Sequence, residues 1–145
     1  VRRCAYYHAL ADARFIEQLL GLQQGPLGRT LLKASLPAVI GVMRKGMGIH
    51  EKGYARSVPR LLAVMDQLEQ AIQPSGYLVG DRFSMADLTA AALLAPLIRP
   101  EQAPYQMPDH PPQAFLDFCE SFAQRPLMQW VQAMYRQHRP APICR

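Results

Sequence analysis

The chain has 145 residues, of which 50% are hydrophobic and 19% charged, with a formal net charge of +5. This is a globular composition, large enough for a single domain (1–145) with a real core and too apolar for a disordered chain. The basic residues are scattered, with no run of five, so the charge permits an anionic partner but does not point to nucleic acid, which is not expected as a ligand.

Cys4, Cys119 and Cys144 are odd in number and far apart. They form no CxxC or Cys/His zinc spacing, so no metal is expected, and a reducing cytoplasmic setting is the simplest home. The longest apolar run, Leu88 to Ile98, falls far short of the roughly 20 residues a membrane span requires. Nothing near Val1 resembles the apolar region of a signal peptide. The absence of an initial Met is what a fragment or a processed chain would show.

In chain order, residues 1–22 read as a first helix, ended by Gly21 and then Gly25-Pro26. Two apolar stripes run along it, Tyr7, Ala11, Phe15, Leu19 and Tyr6, Leu10, Ala13, Leu20. Opposed stripes predict two covered surfaces, one facing the chain's own bundle and one a partner domain or subunit. After a connector over 23–29, helical spacing resumes over 30–47. Pro37 predicts a break or fresh start there, with Ser35 as cap. Gly46 and Gly48 close the segment.

Residues 50–73 form the clearest amphipathic pattern, with Val58, Leu61, Leu62, Met65, Leu68 and Ile72 on one face. Pro74-Ser75-Gly76 stops it. Pro96, Pro100, Pro104, Pro108, Pro111 and Pro112 then predict an extended passage. Short helices follow over 113–123 and 127–138, the second opened by Pro126, with a frayed tail over 139–145. No strand alternation appears. The expected fold is all-α, a bundle of about six helices.

The most informative stretch is Tyr77-Leu-Val-Gly-Asp-Arg-Phe-Ser-Met-Ala-Asp-Leu-Thr89. Gly76 and Gly80 punctuate a tight loop before a helix start. Ser84 is the expected N-cap, and Asp87, three residues on, completes a capping box and puts negative charge at the positive helix end. Phe83 and Leu88 have the spacing of a hydrophobic staple. Residues 85–94 are apolar on nearly every side, which predicts a helix buried all round.

This 13-residue run resembles the capping-box and staple segment of the C-terminal helical domain of glutathione S-transferases. The helix order agrees, and the closing Arg125-Pro126-x-x-x-Trp130-Val131 resembles bacterial members. The resemblance implies a parent protein with an N-terminal thioredoxin-like domain that activates the thiol of glutathione, the co-substrate. It further implies a homodimer, and an apolar pocket for a small hydrophobic electrophile built largely from the first helix of this domain. No βαβ pattern of the thioredoxin-like domain occurs here, so no catalytic residue is expected in this chain, and alone it is expected to be inactive. The rival expectation is a non-catalytic helical docking module, since similar domains serve protein assembly.

For the pocket, Arg3, Tyr7, Leu10 and Arg14 share one face of a continuous first helix, with Tyr6 beside them. Either a phenol and a guanidinium there contact an aromatic or carboxylate-bearing electrophile, or Tyr7 is core and Arg14 solvated. His8, His50, His110 and His138 have no metal spacing and are read as core or surface histidines. Cys4, near a helix start, is a candidate redox thiol if it is accessible.

Overall fold

A computed structural model of the protein describes residues 1–21, 25–103, 108 and 110–139. Among these, seven helices and no strand are present: α1 Arg2–Ala9, α2 Ala13–Gly21, α3 Pro26–Gly46, α4 Glu51–Ala71, α5 Met85–Ile98, α6 Gln113–Ala123 and α7 Pro126–His138. None of these helices is long and apolar enough to cross a membrane. The expected tail beyond Arg139 lies outside the described residues.

The helices gather into two compact units. One comprises Val1, Pro59–Gln106 and Cys119–Arg145; the other comprises Arg2–Val58 and Met107–Phe118. Helices α4 and α6 contribute to both.

In the second unit, the expected single first helix is instead two. Asp12 interrupts it, because its carboxylate accepts the N–H of Arg14 at 2.8 Å and of Phe15 at 3.2 Å, capping a new helix in place of continuing the old one. The interruption takes the two predicted stripes out of phase, so Ala11 and Ala13 are exposed while Leu10, Phe15 and Ile16 are each only 2% exposed. Helix α2 packs on α3.

Helix α3 runs unbroken through Pro37, where a break was expected. Proline removes one donor, and the carbonyl it leaves unpaired belongs to Lys33. Both residues are exposed, so water can satisfy that carbonyl. The same logic carries α4 through exposed Pro59 and α5 through Pro96, two residues past the point where the proline-rich passage was expected to begin. The end of α3 is sharply specified. Gly48, at φ +61, donates to Lys45 O at 3.3 Å, and Ile49 donates to Arg44 O at 2.8 Å, which together make a Schellman motif.

In the first unit α5 packs on α7. Leu61 and Met65 of α4 are buried, as are Leu127, Met128, Val131 and Met134 of α7. The loop before α5 turns at Gly76 (φ +85) and Gly80 (φ +70), conformations that disfavour any side chain. The Trp130 indole N–H ties that loop to α7 by donating to Gly76 O at 2.8 Å. Helix α5 is not buried all round: Ala91, Leu94, Ala95 and Leu97 are covered, but Met85, Leu88 and Leu93 are 73%, 47% and 51% exposed. Cys119 lies within the unit, its thiol directed at Pro96 O at 3.9 Å and pushed up to about 11 by burial.

The start of α7 is held by a fork. Arg125 Nε and Nη2 donate to the two carboxylate oxygens of Glu69, both at 2.9 Å, and Nη2 also reaches Asp66. Glu69 in turn accepts the Leu127 N–H at 3.4 Å, at the positive end of α7. The Glu69 side chain is 22% exposed and that of Asp66 58%. Glu69→Gln is therefore expected to cost about 1–2 kcal/mol, and Asp66→Asn less than about 0.5 kcal/mol. Thermal melts of the two variants check that order.

Candidate functional site

The first unit's site-like feature is the segment leading into α5. Asp87 is 0% exposed and is the centre of its hydrogen bonding. Its Oδ2 accepts the Ser84 N–H at 2.8 Å and the Ser84 hydroxyl at 2.7 Å, while Oδ1 accepts the Leu78 N–H at 2.7 Å. The capping box is present, with the carboxylate as its stronger arm. The Ser84 hydroxyl spends its proton on Asp87, and the Asp87 N–H approaches that oxygen without a hydrogen bond of normal geometry. Burial pushes the Asp87 carboxyl up, but the hydrogen bonds from Leu78 and Ser84 outweigh it and hold the group below the usual carboxylate value. Phe83 and Leu88 line a common groove of about 170 Å³ with Met134, Tyr135 and His138. There the Phe83 ring stacks on His138 at 4.1 Å between centroids, and His138 Nε2 lies 3.3 Å from the Tyr77 hydroxyl. These residues position a helix and a loop.

The second unit holds a cluster of rings. Tyr7 stacks on Tyr54 of α4, with centroids 4.3 Å apart and planes inclined by 17°. His8 stacks on Phe118 at 4.8 Å and meets Tyr54 edge-on at 5.1 Å, with its Nε2 3.1 Å from the Tyr54 hydroxyl. Burial lowers the pKa of His8, which is therefore neutral near pH 7. Burial, helped by Cys4 and Tyr7, raises that of Tyr54, so the phenol keeps its proton and can donate it to a bare His8 Nε2.

Of the residues singled out in the sequence, Tyr7 joins this cluster and Tyr6 is half-buried on the same helix. Leu10 is core at 2% exposure, just past the end of α1. Arg14 is exposed on α2, so the face it was expected to share with Arg3 and Tyr7 along one continuous helix is not formed. Arg3 is committed elsewhere, donating to Met47 O at 2.9 Å and to the Ser57 hydroxyl at 3.2 Å. Cys4 is 0% exposed and burial raises its pKa, so its thiol is not presented as a nucleophile.

The sequence reading missed Tyr54, Phe118 and the pairing of His8. Tyr54 and Phe118 lie 46 and 110 residues from His8, and no short-range spacing announces such a contact. Among the described residues, no three His, Cys, Asp or Glu side chains are grouped to hold a metal.

Neither curated proteins nor solved structures returned a significant match to the chain. The family model described as the glutathione S-transferase C-terminal domain matches residues 51–133, which span α4 to most of α7 and include the Ser84–Asp87 box. That is more than half of the chain, and with the all-helical architecture around the capped α5 it assigns this protein to the glutathione S-transferase C-terminal domain family.

Proposed function

We propose that this chain is the electrophile-binding half of a glutathione-dependent transferase. Its partner is a thioredoxin-like domain of the same parent, which activates the glutathione thiol, and the parent acts as a cytoplasmic homodimer. The observation that carries this reading is the ring cluster that Tyr7 and His8 of α1 form with Tyr54 of α4, in which burial keeps His8 and Tyr54 uncharged. Neutral aromatic faces suit a hydrophobic, aromatic electrophile, which gains by offset stacking and by leaving water. Tyr6 and Tyr7 supply the ring surface, and Leu10 supports it from the core. Thiol activation falls to the thioredoxin-like domain, so the chain alone binds and orients but does not conjugate.

The test is steady-state conjugation by the full-length parent with an aromatic electrophile such as 1-chloro-2,4-dinitrobenzene. Tyr7→Ala is expected to raise KM for the electrophile about tenfold and to leave KM for glutathione unchanged. An unchanged electrophile KM, or a parent that neither binds nor conjugates glutathione, overturns the reading.

A further inference from the structure

Helix α5 ends on a residue that its backbone does not favour. Arg99 follows Ile98 at φ +49, its N–H donating to Ala95 O at 2.7 Å, and among the described residues it is the one non-glycine residue with a positive φ. Glycine fills this left-handed position freely, whereas a Cβ there crowds the following carbonyl. A cation could meet the negative end of the helix dipole from the last turn of α5 without that strain, so the dipole does not account for an arginine here. A strained conformation kept at one residue points to a use for its side chain.

That side chain lines a pocket of about 320 Å³ within the first unit. Helix α7 supplies Gln132 and Arg136 to the same pocket, four residues apart on one helical face. The turn after Arg99 supplies the rest: the Ala103 N–H donates to Pro100 O at 2.9 Å, which sets Glu101 and Gln102 at its corner over buried Pro100. Arg99, Glu101, Gln132 and Arg136 are exposed, and among the described residues none of the four enters an ion pair or a side-chain hydrogen bond. Two guanidinium groups thus face one pocket with their donors unspent, and they suit carboxylates, which take paired N–H donors. Glu101 opposes a compact multivalent anion such as phosphate but suits an ammonium carried beside the carboxylates. The Gln102 and Gln132 amides both donate and accept, so they accommodate either sign. We propose that this pocket binds a small amino dicarboxylate of the size of glutamate, its carboxylates on Arg99 and Arg136 and its ammonium on Glu101. The site is separate from the ring cluster, and the proposal holds whether or not the parent conjugates glutathione.

The experiment titrates the full 145-residue chain with L-glutamate, with glutarate, which lacks the ammonium, and with inorganic phosphate, read by calorimetry. L-Glutamate is expected to bind saturably, and glutarate and phosphate each at least about tenfold more weakly. Arg99→Gly and Arg136→Gln should each weaken glutamate binding by about tenfold or more. Arg99→Gly separates binding from folding, because glycine relieves the left-handed strain: its thermal midpoint is expected to hold or rise while binding is lost. Arg136 is exposed and Gln is a good helix former, so unchanged circular dichroism is expected for Arg136→Gln. Glu101→Gln should erase most of the preference for L-glutamate over glutarate. No saturable binding of L-glutamate up to about 10 mM overturns the proposal, as does binding untouched by the two arginine variants. Phosphate binding as well as L-glutamate overturns it in favour of a plain oxyanion site, and glutarate binding equally well overturns the role given to Glu101.

Discussion

Replacement of Asp87 by Ala is expected to cost about 3 kcal/mol, enough to consume much of the stability of a domain this size. The cost comes from the groups left behind. Three donors converge on the carboxylate: the Leu78 N–H, the Ser84 N–H and the Ser84 hydroxyl. Alanine leaves the Leu78 N–H buried without a partner and removes negative charge from the first turn of α5. Asp87→Asn is expected to fare little better, since one of its two terminal atoms becomes an NH₂ that faces a donor instead of accepting from it. Ser84→Ala, which removes one of the three contacts and keeps the carboxylate, should cost about 1 kcal/mol.

The pH dependence has a fixed sign. The folded pKa of Asp87 lies below its unfolded value, so its contribution is fully present above the ordinary carboxylate range and is lost as pH falls through the depressed folded value. Urea midpoints of the wild type and Asp87→Asn, measured at neutral and at strongly acid pH, check this. The gap between them should be wide at neutral pH and should close in acid. A constant gap would mean that the charge of Asp87 contributes nothing.

This site also shows how far local sequence can be read. Ser84 and Asp87 disclose the box because helix caps depend on residue types three apart. The bond from Leu78, nine residues before Asp87, depends on how Gly76 and Gly80 fold the loop back, and residue types alone do not state it. Apolar periodicity joined α1 to α2 because it counts stripes and not competitors for the backbone. Asp12, with its short acceptor, was the signal that the helix restarts. The prolines at 37 and 96 announce a missing donor but not whether the freed carbonyl faces water, so helix was expected to stop where it continues. Residues 85–94 carry no period, and composition alone does not tell that Met85 and Leu93 lie outside while Leu94 lies within. The pairing of His8 with Tyr54 was invisible for the opposite reason: it is set by packing across distant parts of the chain, and so is the aromatic surface proposed to receive the substrate.

Gly53 carries the second large expectation. It sits in the first turn of α4, where its N–H donates to His50 Nδ1 at 3.0 Å and caps the helix with an imidazole ring. Its backbone conformation is an ordinary helical one, so flexibility is not why it is glycine. A methyl group added there would fall well inside contact distance of the Gly48 carbonyl oxygen and would meet the His50 ring at 3.4 Å. The ring could rotate away only by giving up the cap. The carbonyl could move only by disturbing Gly48, the left-handed residue on which the Schellman end of α3 depends.

Gly53→Ala is therefore expected to destabilise by about 2–4 kcal/mol, although alanine is the better helix former by about 1 kcal/mol in an open site. His50→Ala removes the cap while leaving the close approach untouched, and should cost about 1 kcal/mol. If steric conflict with the backbone is the cause, adding His50→Ala to Gly53→Ala recovers little, because the carbonyl still stands in the way. Substantial recovery in the double variant, measured by denaturant midpoints, would instead assign the conflict to the ring. That interlock between the end of α3 and the start of α4 also bears on function, because Tyr54, the next residue, carries the ring on which Tyr7 stacks. Under the proposed role of that ring cluster, a variant that shifts the first turn of α4 should lose electrophile binding along with stability, whereas Asp87→Ala should lower stability and leave the affinity of the remaining folded molecules largely intact.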